Sequence, residues 1–225
     1  MKNLLLLSLI LYSTTATASD SICYGSASNG RLEGGVQLPY DGNNFTSYSI
    51  TAELLGRTYV HSNVRDILLS TYKALEKEMP DKVYKYAETG FRQGGRFKPH
   101  RTHRNGSSVD FMVPVVNEAG KSVHLPTHYF NKLGYAIEFD NTGSYDGYQI
   151  DYEAMAAHIV HLHQTALQNG ADIKRVIFDN VLQPLLFKTS YGTYLKKHIR
   201  FLKKRVWVRH DEHYHVDFSI ACKSL

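Results

Sequence analysis

Two histidine-rich stretches carry residue types able to do chemistry. The first is His100-Arg-Thr-His103-Arg-Asn-Gly106-Ser-Ser-Val-Asp110, and the second is His210-Asp-Glu-His213-Tyr-His215. His213 and His215 alternate with other residues in a run that reads as extended chain, so both imidazoles turn to one face of a strand. Asp110 lies in another strand-like run, Val109-Asp-Phe-Met-Val. Gly106 allows a sharp turn that brings His103 back beside Asp110. Two imidazoles and one carboxylate leave a fourth position open on a tetrahedral ion, the ligand pattern of a catalytic rather than a structural zinc. With His103, Asp110 and His215 as ligands, His213 remains for proton transfer, because an imidazole titrates near neutral pH. His210 is the rival base, or the residue that orients His213.

These residues need a scaffold. Apolar spacing predicts a helix from Asn63 to Met79, with Val64, Ile67, Leu68, Thr71, Leu75 and Met79 as its buried stripe. A second helix is expected over residues 151–169, with Met155, Ile159, Leu162 and Ala166 inward and Gly170 as its stop. A third covers residues 185–199, interrupted near Gly192. Strands are expected over 83–89, 121–125, 135–139, 173–178, 205–209 and 213–220, and residues 24–62 read as short strands and turns. This mixed order predicts an α+β fold with a central antiparallel sheet and flanking helices. No linker or repeat divides the chain, and 225 residues suit one domain.

The composition, 43% hydrophobic and 21% charged, is that of a globular chain able to build a core. Lys2, the apolar run Leu4 to Leu11 and Ala16-Thr-Ala18 read as a signal peptide over residues 1–18, leaving a mature domain of 19–225. The apolar run is too short to span a membrane. Cys23 and Cys222 are the only cysteines, and an exported chain permits a disulfide between them. Closing so long a loop contributes about 4–5 kcal/mol in loop-entropy models. The net charge of +5 suits an anionic polymer such as the cell wall. No His-Glu-x-x-His, Gly-x-Ser-x-Gly, phosphate-binding glycine loop or Cys-x-x-Cys offers another chemistry.

His103-x-x-Gly106-x-x-x-Asp110 followed by His213-x-His215 resembles the zinc peptidases of the lysostaphin, D-Ala-D-Ala metallopeptidase and hedgehog group. Within that group the chain is most similar to the penicillin-insensitive murein endopeptidases. His100, His210 and Gly94-Gly95-Arg96-Phe97 also fit that family, as does the entry segment from Ala27 to Pro39. The resemblance implies a periplasmic, zinc-dependent enzyme that cuts peptide cross-links of peptidoglycan at a D-amino-acid bond. One zinc is expected. The family's acidic residue two positions before the aspartate is Ser108 here, and the acidic pairs Glu138/Asp140 and Asp146/Asp151 do not match the pattern for a second metal. His100 is read as an outer support of the metal or as a holder of an additional one, and Arg96 and Arg101 as guanidinium forks for a substrate carboxylate.

Other histidines read as scaffold. His158, His161 and His163 share a helix and are expected on a solvated face; His124 and His128 fall in a loop, and His61 and His198 on the surface. Asn44-Phe-Thr46 and Asn105-Gly-Ser107 match a glycosylation pattern, but a glycan beside the metal would block it. Two rival functions are a zinc-holding wall-binding module without turnover, or accessory of an envelope or secretion machine, and a basic secreted nuclease. Nucleic acid has no motif in its favour beyond charge.

Overall fold

The computed structural model describes residues 20–203 and 208–225; the expected signal peptide, and most of the strand expected over 205–209, lie outside them. The chain opens with a hairpin of β1 (Ile22–Ser26) and β2 (Asn29–Glu33). β3 (Val36–Gln37) pairs with β5 (Tyr59–Val60), and between them run β4 (Phe45–Ser47) and α1 (Ile50–Leu54). Then follow α2 (Ser62–Glu78), β6 (Tyr84–Tyr86), β7 (Ser108–Met112), β8 (Val115–Val116), β9 (Ser122–Val123), β10 (Ser144–Tyr145), β11 (Tyr148–Ile150) and α3 (Tyr152–Gln168). The chain ends with β12 (Asp172–Ile177), α4 (Gln183–Leu186), α5 (Gly192–His198) and β13 (His213–Ser219).

The central sheet has five strands in the order β12-β13-β7-β6-β4. Its first three pairings are antiparallel, while β4 joins β6 in parallel at one edge. Alternation divides the sheet into two chemically different faces. Val109, Phe111, Tyr214, Val216 and Phe218 are buried in the hydrophobic core, which α2 and α3 share. Ser108, Asp110, His213, His215 and Asp217 occupy the alternate positions of β7 and β13. Register sets them side by side: His215 is opposite Asp110, and Asp217 opposite Ser108. A slip of one residue would send every one of these polar groups into the core.

Both long helices follow their apolar periodicity. Val64, Ile67, Leu68, Thr71 and Leu75 of α2 are buried, as are Met155, Ile159, Leu162 and Ala166 of α3. Asp151 caps α3 by accepting from Ala154 N at 3.0 Å. α2 begins one residue before Asn63, because the imidazole of His61 serves as its cap, accepting from Asn63 N at 3.1 Å. His61 is therefore half-buried rather than on the surface.

Three further expectations need correction. His158 is fully buried, since it stands three residues after Met155 and four before Leu162 on the same inward stripe. His163 is also buried, covered by α5, where its Nδ1 meets Tyr194 Oη at 2.8 Å. Residues 135–139 form a turn at Tyr135 and Ala136 followed by irregular chain rather than a strand. Lys132 (φ 52°) and Leu133 (φ 58°) adopt left-handed backbone just before them and reverse the chain. The helix expected over 185–199 is two, α4 and α5; a Cβ at Gly192 would fall 2.1 Å from the Phe187 carbonyl oxygen, so the chain folds tightly on itself there.

Candidate metal centre

Strand β7 delivers Asp110 and strand β13 delivers His213 and His215 to one end of the polar face. The loop before β7 delivers the rest. Gly106 turns it at φ 76°, and a Cβ there would lie 2.7 Å from both His61 N and a Leu32 methyl. Asn105 stiffens the same turn, its Oδ1 accepting from Ser107 N at 3.3 Å and Ser107 Oγ at 2.7 Å. Asn105 and Asn44 are both buried, so neither glycosylation pattern presents an accessible side chain. The Cys23–Cys222 disulfide lies against this loop, with Asn105 Nδ2 3.5 Å from Cys222 Sγ. His103 and His210 themselves hold positive φ, 65° and 59°; such strained backbone in non-glycine residues concentrates at functional sites.

Asp110 is the hub, and it is buried. Its Oδ1 lies 2.7 Å from His215 Nδ1 and 3.3 Å from His103 Nε2. Its Oδ2 accepts from Tyr135 Oη at 3.2 Å and lies 3.7 Å from His100 Nδ1. Burial alone would push this carboxyl up, but the surrounding imidazoles, His103 first, hold it well below its ordinary range. His103 Nδ1 lies 3.1 Å from the Thr89 carbonyl, which can only accept, so the proton is on Nδ1. Nε2 of that tautomer keeps its lone pair, is buried, and has no hydrogen-bond partner among the described residues. An orphaned buried lone pair aimed at a buried carboxylate is what a bound cation would satisfy. His100, His103 and Asp110 each offer a ligand atom, all within 4.8 Å of one another, a group able to hold a metal ion. His215 adjoins it through Asp110. The nitrogen and oxygen donor set suits a divalent metal ion.

Outer contacts orient each of these groups. His215 Nε2 meets Asp217 Oδ1 at 2.8 Å, and Ser108 Oγ donates to the same oxygen at 2.6 Å. Burial disfavours a charged His215, but the Asp217 and Asp110 carboxylates on either side outweigh it and raise its pKa to about 10. His100 Nε2 lies 2.5 Å from Glu88 Oε2, and Glu88 is also bound by Arg57 and by Tyr48 Oη at 2.9 Å. Burial works against ionisation of Glu88, yet His100 and Arg57 lower it to about 2.

His213 is held by Glu212, whose Oε1 is 2.7 Å from Nδ1. Burial disfavours its cation, but the carboxylate prevails and raises its pKa. His210 Nδ1 donates to the Val208 carbonyl at 2.8 Å; burial, reinforced by His213, lowers it to about 4, so it is neutral at neutral pH. The two rings are 4.6 Å apart, and Tyr135 lies 4.9 Å from His213. All three line a groove of about 730 Å³ together with His100, His215 and Arg101. Arg96 is exposed and is not among the groove residues. Asp140 closes a turn through Thr142 N and Ser144 N, and Asp151 caps α3 and pairs with Lys82, so these acids are occupied away from the groove.

Glu88, Tyr135, Arg175 and Asp217 escaped the motif reading. Asp217 had a usable signal, since it continues the i, i+2 spacing of His213 and His215. Glu88 and Tyr135 had none, because their role depends on loops folding back over the sheet.

The family model for penicillin-insensitive murein endopeptidase matches residues 23–224, nearly all of the described chain. No curated protein matches the chain.

Proposed function

This chain belongs to the penicillin-insensitive murein endopeptidase family, hydrolases of peptidoglycan, and on that premise we propose that it is an exported, zinc-dependent endopeptidase of the peptide cross-links. The observation that carries the zinc reading is the orphaned Nε2 of buried His103 facing the Asp110 carboxylate. We assign His103, Asp110 and His215 as the ligands, with His100 beside them. A zinc ion held there would supply a Lewis acid for the scissile carbonyl and lower the pKa of water toward 7.

The chain's own groups supply the proton movements. His213 Nδ1–H is fixed on Glu212, which leaves Nε2 to take a proton from the attacking water. Glu212 then stabilises the imidazolium. As the C–N bond breaks, the same proton passes to the leaving amine, and His213 returns to its neutral form. His210, kept neutral by burial, packs against His213 and holds its ring without competing charge. Tyr135 donates to Asp110 Oδ2 and fixes the carboxylate plane. The groove's Arg101 and Lys132 give it a positive rim suited to an anionic wall polymer.

Export through a signal peptide at residues 1–18 into the periplasm, with residues 19–225 as the mature domain, agrees with the disulfide and with a wall substrate. Among the described residues no helix is long and apolar enough to cross a membrane. The test is digestion of purified murein sacculi by wild type, His103→Ala and Asp110→Ala, all shown folded by circular dichroism. Loss of cross-linked dimers with wild type and not with either variant is expected. Undiminished cleavage by both variants would refute the assignment.

A further inference from the structure

Arg175 stands on β12 directly opposite Asp217, two residues from Ile177, which is opposite His215. Its Nε donates to Asp217 Oδ2 at 2.6 Å. The other oxygen of Asp217 is already taken by Ser108 and His215. The guanidinium is thus tethered by one edge to the outer support of the metal site. Its two terminal nitrogens make no hydrogen bond to the described residues, and the side chain, 35% exposed, lines the groove. Ile177 and Leu202 line the same groove as apolar neighbours. Two residues of strand separate Arg175 from the level of His215, roughly 7 Å along the sheet, on the side away from His213. That is the span of one or two residues of an extended peptide. Arg101 and Lys132 also line the groove, but both are exposed and neither is held by a partner among the described residues.

We propose that Arg175 is the specificity-determining residue of the groove, binding through its terminal nitrogens a free carboxylate that lies one or two residues from the scissile amide. The proposal rests on the peptidase reading of the same site. A planar fork with two parallel donors matches a carboxylate, and its tether to Asp217 reduces the side-chain freedom lost on binding. A peptide carrying a carboxamide at that place leaves the guanidinium without its anion and is discriminated against.

The experiment compares two synthetic cross-linked stem peptides, one with a free carboxylate one or two residues from the scissile amide and one with that carboxylate amidated. They are cleaved by the zinc-loaded wild type, Arg175→Gln and Arg175→Lys, with zinc content measured for each. Wild type is expected to favour the acid by roughly 10- to 100-fold in kcat/KM, mainly through KM. The ratio collapses toward one in Arg175→Gln and is partly kept in Arg175→Lys. Equal slowing of acid and amide in Arg175→Gln would mean that Arg175 only holds Asp217, and would overturn the proposal. So would wild-type cleavage without preference, which leaves the peptidase reading intact. Cleavage of neither peptide by zinc-loaded wild type would overturn both.

Discussion

The buried histidine beneath the site makes the stability of this protein sensitive to acid in a calculable way. His158 on α3 is fully buried, its Nδ1 is 2.6 Å from Tyr214 Oη, and its ring is packed between Tyr84 and Phe111. Burial, aided slightly by His161, lowers its pKa to about 3. In the unfolded chain it titrates near 6.5. Below that value the unfolded state takes up a proton that the folded state refuses, so stability falls as pH drops from about 6.5 and the loss ends near 3. At pH 5 the contribution is RT ln(1 + 10^1.5), about 2 kcal/mol. The perturbation is the pair His158→Leu with Tyr214→Phe, which removes both partners of the hydrogen bond and so leaves neither buried and unsatisfied. Urea unfolding at pH 7 and pH 5, with chelator present for both proteins, gives the change in stability for each. Every other titrating group is common to the two and drops out of the difference. Wild type should lose about 2 kcal/mol more than the double variant on going to pH 5. Equal losses would show that His158 protonates in the folded state and refute the reasoning.

Three other perturbations have defined outcomes. Gly106→Ala places a side chain at positive φ and against the His61 backbone, so thermal or urea unfolding should show a loss of about 2 kcal/mol or more; an unchanged midpoint would mean the turn is not as tight as described. Tyr135→Phe removes the donor to Asp110 Oδ2 and should raise the zinc dissociation constant roughly 10- to 100-fold in a competition titration with a chromophoric chelator. An unchanged affinity would remove Tyr135 from the metal's support. Cys222→Ser opens a loop spanning 199 residues of sequence and should lower unfolding free energy by about 2–5 kcal/mol in non-reducing urea titrations; no change would show that the bridge adds nothing to the fold.

Alternation made much of the site legible. His213 and His215 two apart in a strand were enough to place both imidazoles on one face, because side-chain direction within one extended strand is fixed by parity, whereas Asp110 joins that face only through the register that sets it opposite His215. The long helices were legible for the same reason at period 3.6. What parity does not encode is the covering of that face. Tyr135 read as part of a strand because its neighbours Ala136 and Ile137 fit one; the left-handed backbone at Lys132 and Leu133, two residue types that seldom adopt it, reverses the chain instead. Glu88 and His100 meet only after the loop through Gly94 and Gly95 closes. His158 was misread because histidine usually keeps solvent, although its position on the α3 stripe already marked it as inward; the Tyr214 hydroxyl is the partner that makes its burial tolerable.

Whether this chain uses bound zinc to cut murein is open to one direct measurement. The measurement is zinc per chain in the oxidised, mature protein, made alongside digestion of intact sacculi with and without chelator and with products read by mass. About one zinc per chain, with chelator-sensitive loss of cross-linked dimers, is the predicted result. Stoichiometric zinc with untouched sacculi, or cleavage that persists after the metal is stripped, would contradict it.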